Sequence, residues 1–191
     1  MSAYNASALK RFFDVVLALV VLPIALPLVL LAFLVVLIFS GGPALFIQER
    51  VGLHGKVFYI YKVRTLKNGT ADPMAGMRHD DPHFITLGRL IRRWRIDELP
   101  QIWNILKGDM SWVGPRPERP EIVSECLVSL ANYNQRHDCL PGITGWAQVH
   151  APNATPEENG DKLVYDLEYV HQASFSKDLK ILFTTVFVMF R

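Results

Sequence analysis

Twenty-five consecutive residues, Val15 to Phe39, carry no charge; 23 are aliphatic or aromatic, and the other two are Pro23 and Pro27. As a helix rising about 1.5 Å per residue, the run reaches roughly 37 Å, enough for a hydrocarbon core of about 30 Å. The other 166 residues hold all 38 charged side chains, an ordinary density for a soluble domain. The chain therefore divides into a membrane element, 1–40, and a domain, 41–191. With net charge +2 and 50% hydrophobic residues, neither a strongly basic nucleic-acid binder nor a disordered chain fits.

Three readings of the apolar run compete. A secretory signal has a shorter apolar region and a small-residue cleavage site; Ser40-Gly41-Gly42-Pro43 is a poor one. A spanning helix would leave Lys10 and Arg11 in the cytoplasm and carry the domain outside. The third reading follows from the prolines. Pro23 and Pro27 lack the N–H groups that would bond Leu19 and Pro23, so a bend is expected. Each arm around Pro27 would be about 18 Å, too short to cross alone, and a re-entrant helix-hairpin would keep both ends on one face. Sequence physics leaves spanning and re-entry both open. Asp14, one turn after Lys10, is expected to pair with it. A second apolar stretch, Ile181 to Phe190, is too short to span and is expected at the interface or in the core.

The expected fold is α+β and mainly helical. Residues 44–48 and 57–63 read as a β-hairpin around Gly52-Leu53-His54-Gly55. Residues 67–83 are turn-rich and predict a loop. Helices are expected over Leu87–Arg95 and Glu98–Lys107, the second stopped by Gly108, with Leu99, Ile102, Trp103 and Leu106 on a core face. Residues 114–120 predict a stiff extended loop, residues 141–146 a turn, and the polar stretch 150–161 leads into a final helical region. Cys126 and Cys139 have no metal-ligand spacing and read as reduced, buried thiols.

Asp97 and Glu98 directly follow Arg89, Arg92, Arg93 and Arg95. A helix start explains acids there without any chemistry, and anionic lipid explains the arginines. Adjacent carboxylates, however, repel unless a cation lies between them, and guanidiniums grip phosphate bidentately. Together they suggest Mg²⁺ on Asp97 and Glu98, a phosphorylated substrate, and an Asp97 held ionised by the arginines. Arg116, between Pro115 and Pro117, is a second phosphate contact on a restrained backbone, and Lys62 and Arg64 extend the positive surface. The His79-Asp80-Asp81-Pro82-His83 run is not expected to form a rigid metal site. No glycine-rich phosphate loop is present.

Seven segments occur in order: Lys10-Arg11-Phe12-Phe13-Asp14, Gln48 to Gly52, Tyr61 to Arg64, Ile96 to Asn104, Leu106 to Ser111, Val113 to Pro117 and Pro141 to Val149. With them the chain resembles the bacterial sugar transferases, specifically the small monotopic phosphoglycosyl transferases of the bacterial inner membrane. That resemblance implies transfer of a phospho-sugar from a UDP-sugar to a polyprenol phosphate such as undecaprenyl phosphate. UMP is released at the cytoplasmic face, and the product passes to downstream glycosyltransferases. It implies Asp97 as nucleophile through a phosphosugar–aspartyl intermediate, Glu98 as its partner near Mg²⁺, Arg92 and Arg116 at phosphate, and Pro27 as the break of a re-entrant helix. Leu26, the additional Pro23, His83, Leu140 and His150 to Asn153 depart from the family pattern, so the sugar is not inferred from relatives. A membrane-tethered lipid- or partner-binding protein without catalysis is the alternative class; a phosphatase acting through an aspartyl phosphate is a weaker third.

Overall fold

The computed structural model describes residues 2–67, 69–70, 82–151 and 159–189. Helix α1, Ala8–Ser40, begins where the Ser7 side chain accepts the Lys10 backbone N–H at 3.2 Å and stops at Gly41, whose φ of 68° lets it bond Leu37 O. Pro23 and Pro27 lie inside this one helix, which is continuous through both positions. Each proline forfeits a single backbone bond, and the apolar turns on either side carry the helix through. Among the described residues, α1 is the one helix long and apolar enough to cross a membrane.

One stripe of α1 is buried along its length: Lys10, Asp14, Ala18, Ala25, Val29, Ala32 and Val36. Successive members fall three, four or seven residues apart, the spacing of a single helical face. Ala18 and Ala25 pack on Ile60, Ile102, Ile105 and Met110; Val29, Ala32 and Val36 pack on Val63, Ile85 and Ile91. Leu19, Val20, Ile24, Leu30, Leu34 and Ile38 point outward and are more than half exposed.

Both ends of α1 are fastened to the body it lies on. Lys10 Nζ donates to Asp178 Oδ2 at 2.7 Å and Val113 O at 3.1 Å, while Asp14 accepts from Ser111 Oγ at 2.9 Å and the Trp112 N–H at 3.1 Å. The expected Lys10–Asp14 pair is therefore replaced: both side chains are buried and find partners across the interface. Arg11 donates to Ile105 O and Leu106 O, the last carbonyls of α3 (Ile102–Lys107). At the far end, Arg64 reaches Gly42 O at 2.8 Å and Ser40 Oγ at 2.9 Å.

Strands β1, Leu45–Val51, and β2, Val57–Val63, pair antiparallel from Leu45↔Val63 to Val51↔Val57, the hairpin expected, extended by three residues in its first strand. After α2, Gly88–Arg93, the left-handed Arg95 opens a 3₁₀ segment, Ile96–Gln101, that leads into α3. The expected helix from Glu98 is thus two differently wound pieces. With three residues per 3₁₀ turn the buried face becomes Ile102 and Ile105, backed by Leu99 and Leu106, and Trp103 is 59% exposed, not core. Gly108, at φ 92°, ends α3 as anticipated.

Residues 114–119 run extended into α4, Pro120–Ser129. A short strand, β3 (Ser111–Val113), pairs in parallel with β4 (Gly142–Thr144), where only a turn was expected. The backbones meet so closely that a Cβ on Gly142 would sit 2.1 Å from Gly114 N. Helices α5 (Trp146–His150), α6 (Asn159–Gln172) and α7 (Phe175–Met189) complete the chain. On α7, Asp178 and Ile181 face inward while Phe183, Val186 and Phe187 are exposed. Both cysteines are free and buried. Most of the 67–83 loop, including His79 to Asp81, residues 152–158 of the polar stretch, and Phe190 lie outside the described residues.

Candidate active site

A cavity of about 710 Å³ opens between the β-hairpin, the 3₁₀ segment, the 115–119 strap and α6. Among the described residues, ten Lys and Arg line it against four Asp and Glu, so it favours a ligand with several negative charges. Lys62, Arg64, Arg92, Asp97, Glu98 and Arg116, drawn from separate parts of the chain, all lie on its wall.

Glu98 is the charge hub. Its Oε1 accepts from Arg116 Nη2 at 2.9 Å and faces Lys62 Nζ at 3.4 Å, and its Oε2 faces Arg95 Nη1 at 3.3 Å. Burial alone would raise the pKa of this carboxyl, but Arg116, Lys62 and Arg95 outweigh it and hold it well below the usual glutamate range. In return Glu98 strengthens the charge on Arg116, whereas burial pulls Lys62 down.

Asp97 has the opposite surroundings. It is 7% exposed, and its carboxyl makes no hydrogen bond or ion pair among the described residues. Burial and the adjacent Glu98 charge push its pKa up to about 6, opposed by Lys62, Arg92 and Arg116. The arginines were expected to hold Asp97 ionised; Arg92 and Arg116 do favour its charged form, but Glu98 takes the direct contacts and its charge, with burial, pushes Asp97 up. What remains is a desolvated carboxylate, ionised near neutral pH and uncommitted to any partner among the described residues. Those are the properties of an oxygen nucleophile.

The backbone around Arg116 is held one carbonyl at a time. Pro115 O accepts from Gly142 N at 2.9 Å, Arg116 O from Arg136 Nη2 at 2.8 Å, Pro117 O from Arg50 Nη1 at 3.1 Å, and Glu118 O from Val51 N at 2.9 Å. Arg136 is itself fixed by Asp166 Oδ2 at 2.7 and 3.0 Å, with both side chains buried. Proline on either side and four acceptors in use fix the strap's backbone, and Glu98 holds the Arg116 side chain that projects from it. Arg50, Arg136 and Asp166 were not singled out from the sequence. Arg50 stood within a recognised motif without a role, and Arg136 sits in a polar run that reads as surface until the 3₁₀ helix Tyr133–Asp138 turns it inward.

Arg92 Nε donates to Thr65 Oγ1 at 2.7 Å, which directs its guanidinium along the cavity wall. Arg64 lines the same cavity and is bonded to the end of α1, so it fastens that long apolar helix to the site. Among the positions that depart from the family pattern, His150 stacks on Tyr165, ring centres 5.1 Å apart, and meets Trp146 at a tilt, ring centres 3.9 Å apart. Among the described residues, no group of three or more His, Cys, Asp or Glu could hold a metal.

A buried carboxylate beside a cation-clamped partner, in a basic cavity packed near a long apolar helix, defines a candidate group-transfer site. The family model described as bacterial sugar transferase matches residues 5–191, and the chain belongs to that family. It is 43% identical over 178 residues to the uncharacterized sugar transferase EpsL of Bacillus subtilis, covering 93% of this chain and 85% of that protein. It is 38% identical over 180 residues to the UDP-N-acetylgalactosamine-undecaprenyl-phosphate N-acetylgalactosaminephosphotransferase of Aeromonas hydrophila. Identity is also 38%, over 183 residues, to the UDP-glucose:undecaprenyl-phosphate glucose-1-phosphate transferase of Escherichia coli. In these last two, 93% and 94% of this chain matches only 43% and 39% of the relative, so the chain spans about two fifths of their length.

Proposed function

We propose that this chain transfers a sugar 1-phosphate from a UDP-sugar to a polyprenol phosphate, with undecaprenyl phosphate the first acceptor to test. The observation that carries this reading is the Asp97–Glu98 pair: one carboxylate open and near its titration point, the other locked in cations. In the first step an Asp97 oxygen attacks the phosphorus nearest the sugar, and the P–O bond to UMP breaks with its electron pair leaving on UMP. In the second, an oxygen of the acceptor phosphate attacks the same phosphorus, the Asp97–O–P bond breaks, and the carboxylate is regenerated. Arg116 and Arg92 offset the charge gathering on the phosphoryl oxygens. Glu98 keeps Arg116 and Lys62 aimed at that charge.

No cluster of three ligands is available among the described residues, and Glu98 is already paired, so Asp97 and Glu98 are the two carboxylates that would hold a magnesium ion. Bound there, it would neutralise diphosphate charge and ease departure of UMP. The relatives named as phosphotransferases acting on undecaprenyl phosphate support the acceptor, and their named sugars, glucose and N-acetylgalactosamine, are the first donors to screen.

The attachment of α1 supports re-entry over spanning. Lys10 holds one end to Asp178, Arg64 holds the other to the same body, and a straight crossing would put those ends on opposite faces. A helix of 33 residues is about 50 Å long, so the body would have to follow it through the bilayer. We read the membrane as the bacterial inner membrane and the site as facing the cytoplasm, where a UDP-sugar is available; the lipid-linked product then goes to downstream glycosyltransferases. The test is UMP release from UDP-glucose or UDP-N-acetylgalactosamine with undecaprenyl phosphate and Mg²⁺. Sustained release that needs the acceptor and is abolished by Asp97→Asn supports the proposal. Lipid binding without turnover of any UDP-sugar would favour a non-catalytic tether.

A further inference from the structure

A second cavity, of about 410 Å³, lies beside the first and differs from it in kind. Its apolar walls come from Phe39, in the last turn of α1, and from Phe84 and Leu87 ahead of α2; Lys67 and Arg89 supply the charge. Phe39 and Leu87 are 53% and 47% exposed, so the slot opens beside the end of the membrane helix. Lys67 lines both cavities.

The partition between the cavities is built rather than loose. Lys67 N donates to His83 O at 2.8 Å, and Leu66 bridges to Phe84. The guanidiniums of Arg89 and Arg92 lie 5.8 and 5.3 Å from the centre of the Phe84 ring. Arg89 belongs to the second cavity and Arg92 to the one that holds Asp97. The path from the lipid therefore runs from apolar side chains, past a cation-flanked ring, to a cation beside Asp97.

We infer that this cleft seats the acceptor: the first isoprenoid units of a polyprenyl phosphate lie on Phe39, Phe84 and Leu87, and its phosphate is passed between Lys67, Arg89 and Arg92 toward Asp97. The inference rests on the transferase reading and assigns that reaction's lipid substrate. The chemistry is complementary at each end. An isoprenoid chain gains by leaving water on the apolar walls, and a phosphate gains by pairing with guanidinium and ammonium groups.

The two half-reactions separate this inference from the reading beneath it. Exchange of labelled UMP into the UDP-sugar, in nanodiscs without acceptor, requires only the donor and Asp97. The Phe39→Ala/Leu87→Ala double variant should exchange UMP at the wild-type rate and show an acceptor KM raised about tenfold. Ile38→Ala, which removes an exposed apolar side chain outside the cleft, should leave the acceptor KM unchanged. Phe39 and Leu87 are half exposed, so the double variant should keep the wild-type melting temperature. An unchanged acceptor KM in the double variant overturns the cleft, as does an equal rise in Ile38→Ala, which would mark a general lipid contact. Absence of UMP exchange in the wild type would instead count against the transferase reading.

Discussion

Asp97 and Glu98 are neighbours in the chain, yet the structure gives them opposite charge environments: three cations lie within 3.4 Å of the Glu98 carboxylate, while Asp97 is buried without a partner among the described residues. The local winding produces the difference. Arg95 turns left-handed, the 3₁₀ segment starts, and the two side chains leave the backbone in different directions.

Asp97→Asn should stabilise the fold while abolishing the chemistry. The folded protein binds the Asp97 proton more tightly than the unfolded chain, with a pKa of about 6 against 3.8, so this group lowers stability as pH rises through that window. The variant should be more stable by about 1–3 kcal/mol at pH 7. Its advantage should shrink toward pH 4. Urea unfolding of both proteins at pH 4.5 and 7.5 measures it.

Glu98→Gln should act in the reverse sense. Its folded pKa lies below the ordinary 4.5, so its stabilising contribution is present above that pH and is lost as pH falls. The variant should be destabilised at pH 7, with the gap closing in acid. Loss of the Glu98 charge also removes a repulsion from Asp97, so the acid limb of the pH–rate profile, expected near pH 6 in the wild type, should move to lower pH. An unmoved limb would mean that the pair does not couple.

These relationships were only partly legible in the sequence. The β-hairpin and the stop at Gly108 were readable because strand pattern and left-handed caps are local. Asp97, Glu98, Arg92 and Arg116 were found because carboxylates and guanidiniums crowded together need a reason. The phase of Trp103 was missed because helical periodicity assumes 3.6 residues per turn, and Pro100 lies in a 3₁₀ segment. Lys10 and Asp178 are 168 residues apart, and β3 meets β4 through three residues each; no local pattern announces such pairings.

The Arg136–Asp166 pair is where the strap should be most sensitive. Asp166→Asn leaves Arg136 buried without its counter-charge, which should cost about 3–5 kcal/mol in urea unfolding. Arg136→Lys keeps the charge but cannot bridge Asp166 and Arg116 O together, and should raise the donor KM. In an Arg116→Ala background the same change should add little, because Arg136 acts through Arg116. Additive effects would assign Arg136 a role in general stability.

Membrane topology can be checked with cysteines placed at Asn5 and Gly69, in a chain whose own Cys126 and Cys139 are buried. A re-entrant α1 predicts labelling of both from one side of inverted vesicles by an impermeant maleimide. Labelling from opposite sides would establish a spanning helix.

The most direct test of the account asks where the phospho-sugar goes before it reaches the lipid. The chain is incubated with its UDP-sugar and Mg²⁺, without acceptor, quenched, digested, and analysed by mass spectrometry. The account predicts a sugar-phosphate adduct on the peptide carrying Asp97, discharged when undecaprenyl phosphate is added and absent from Asp97→Asn. An adduct on another residue, or an Asp97→Asn protein that turns over at the wild-type rate, would contradict it.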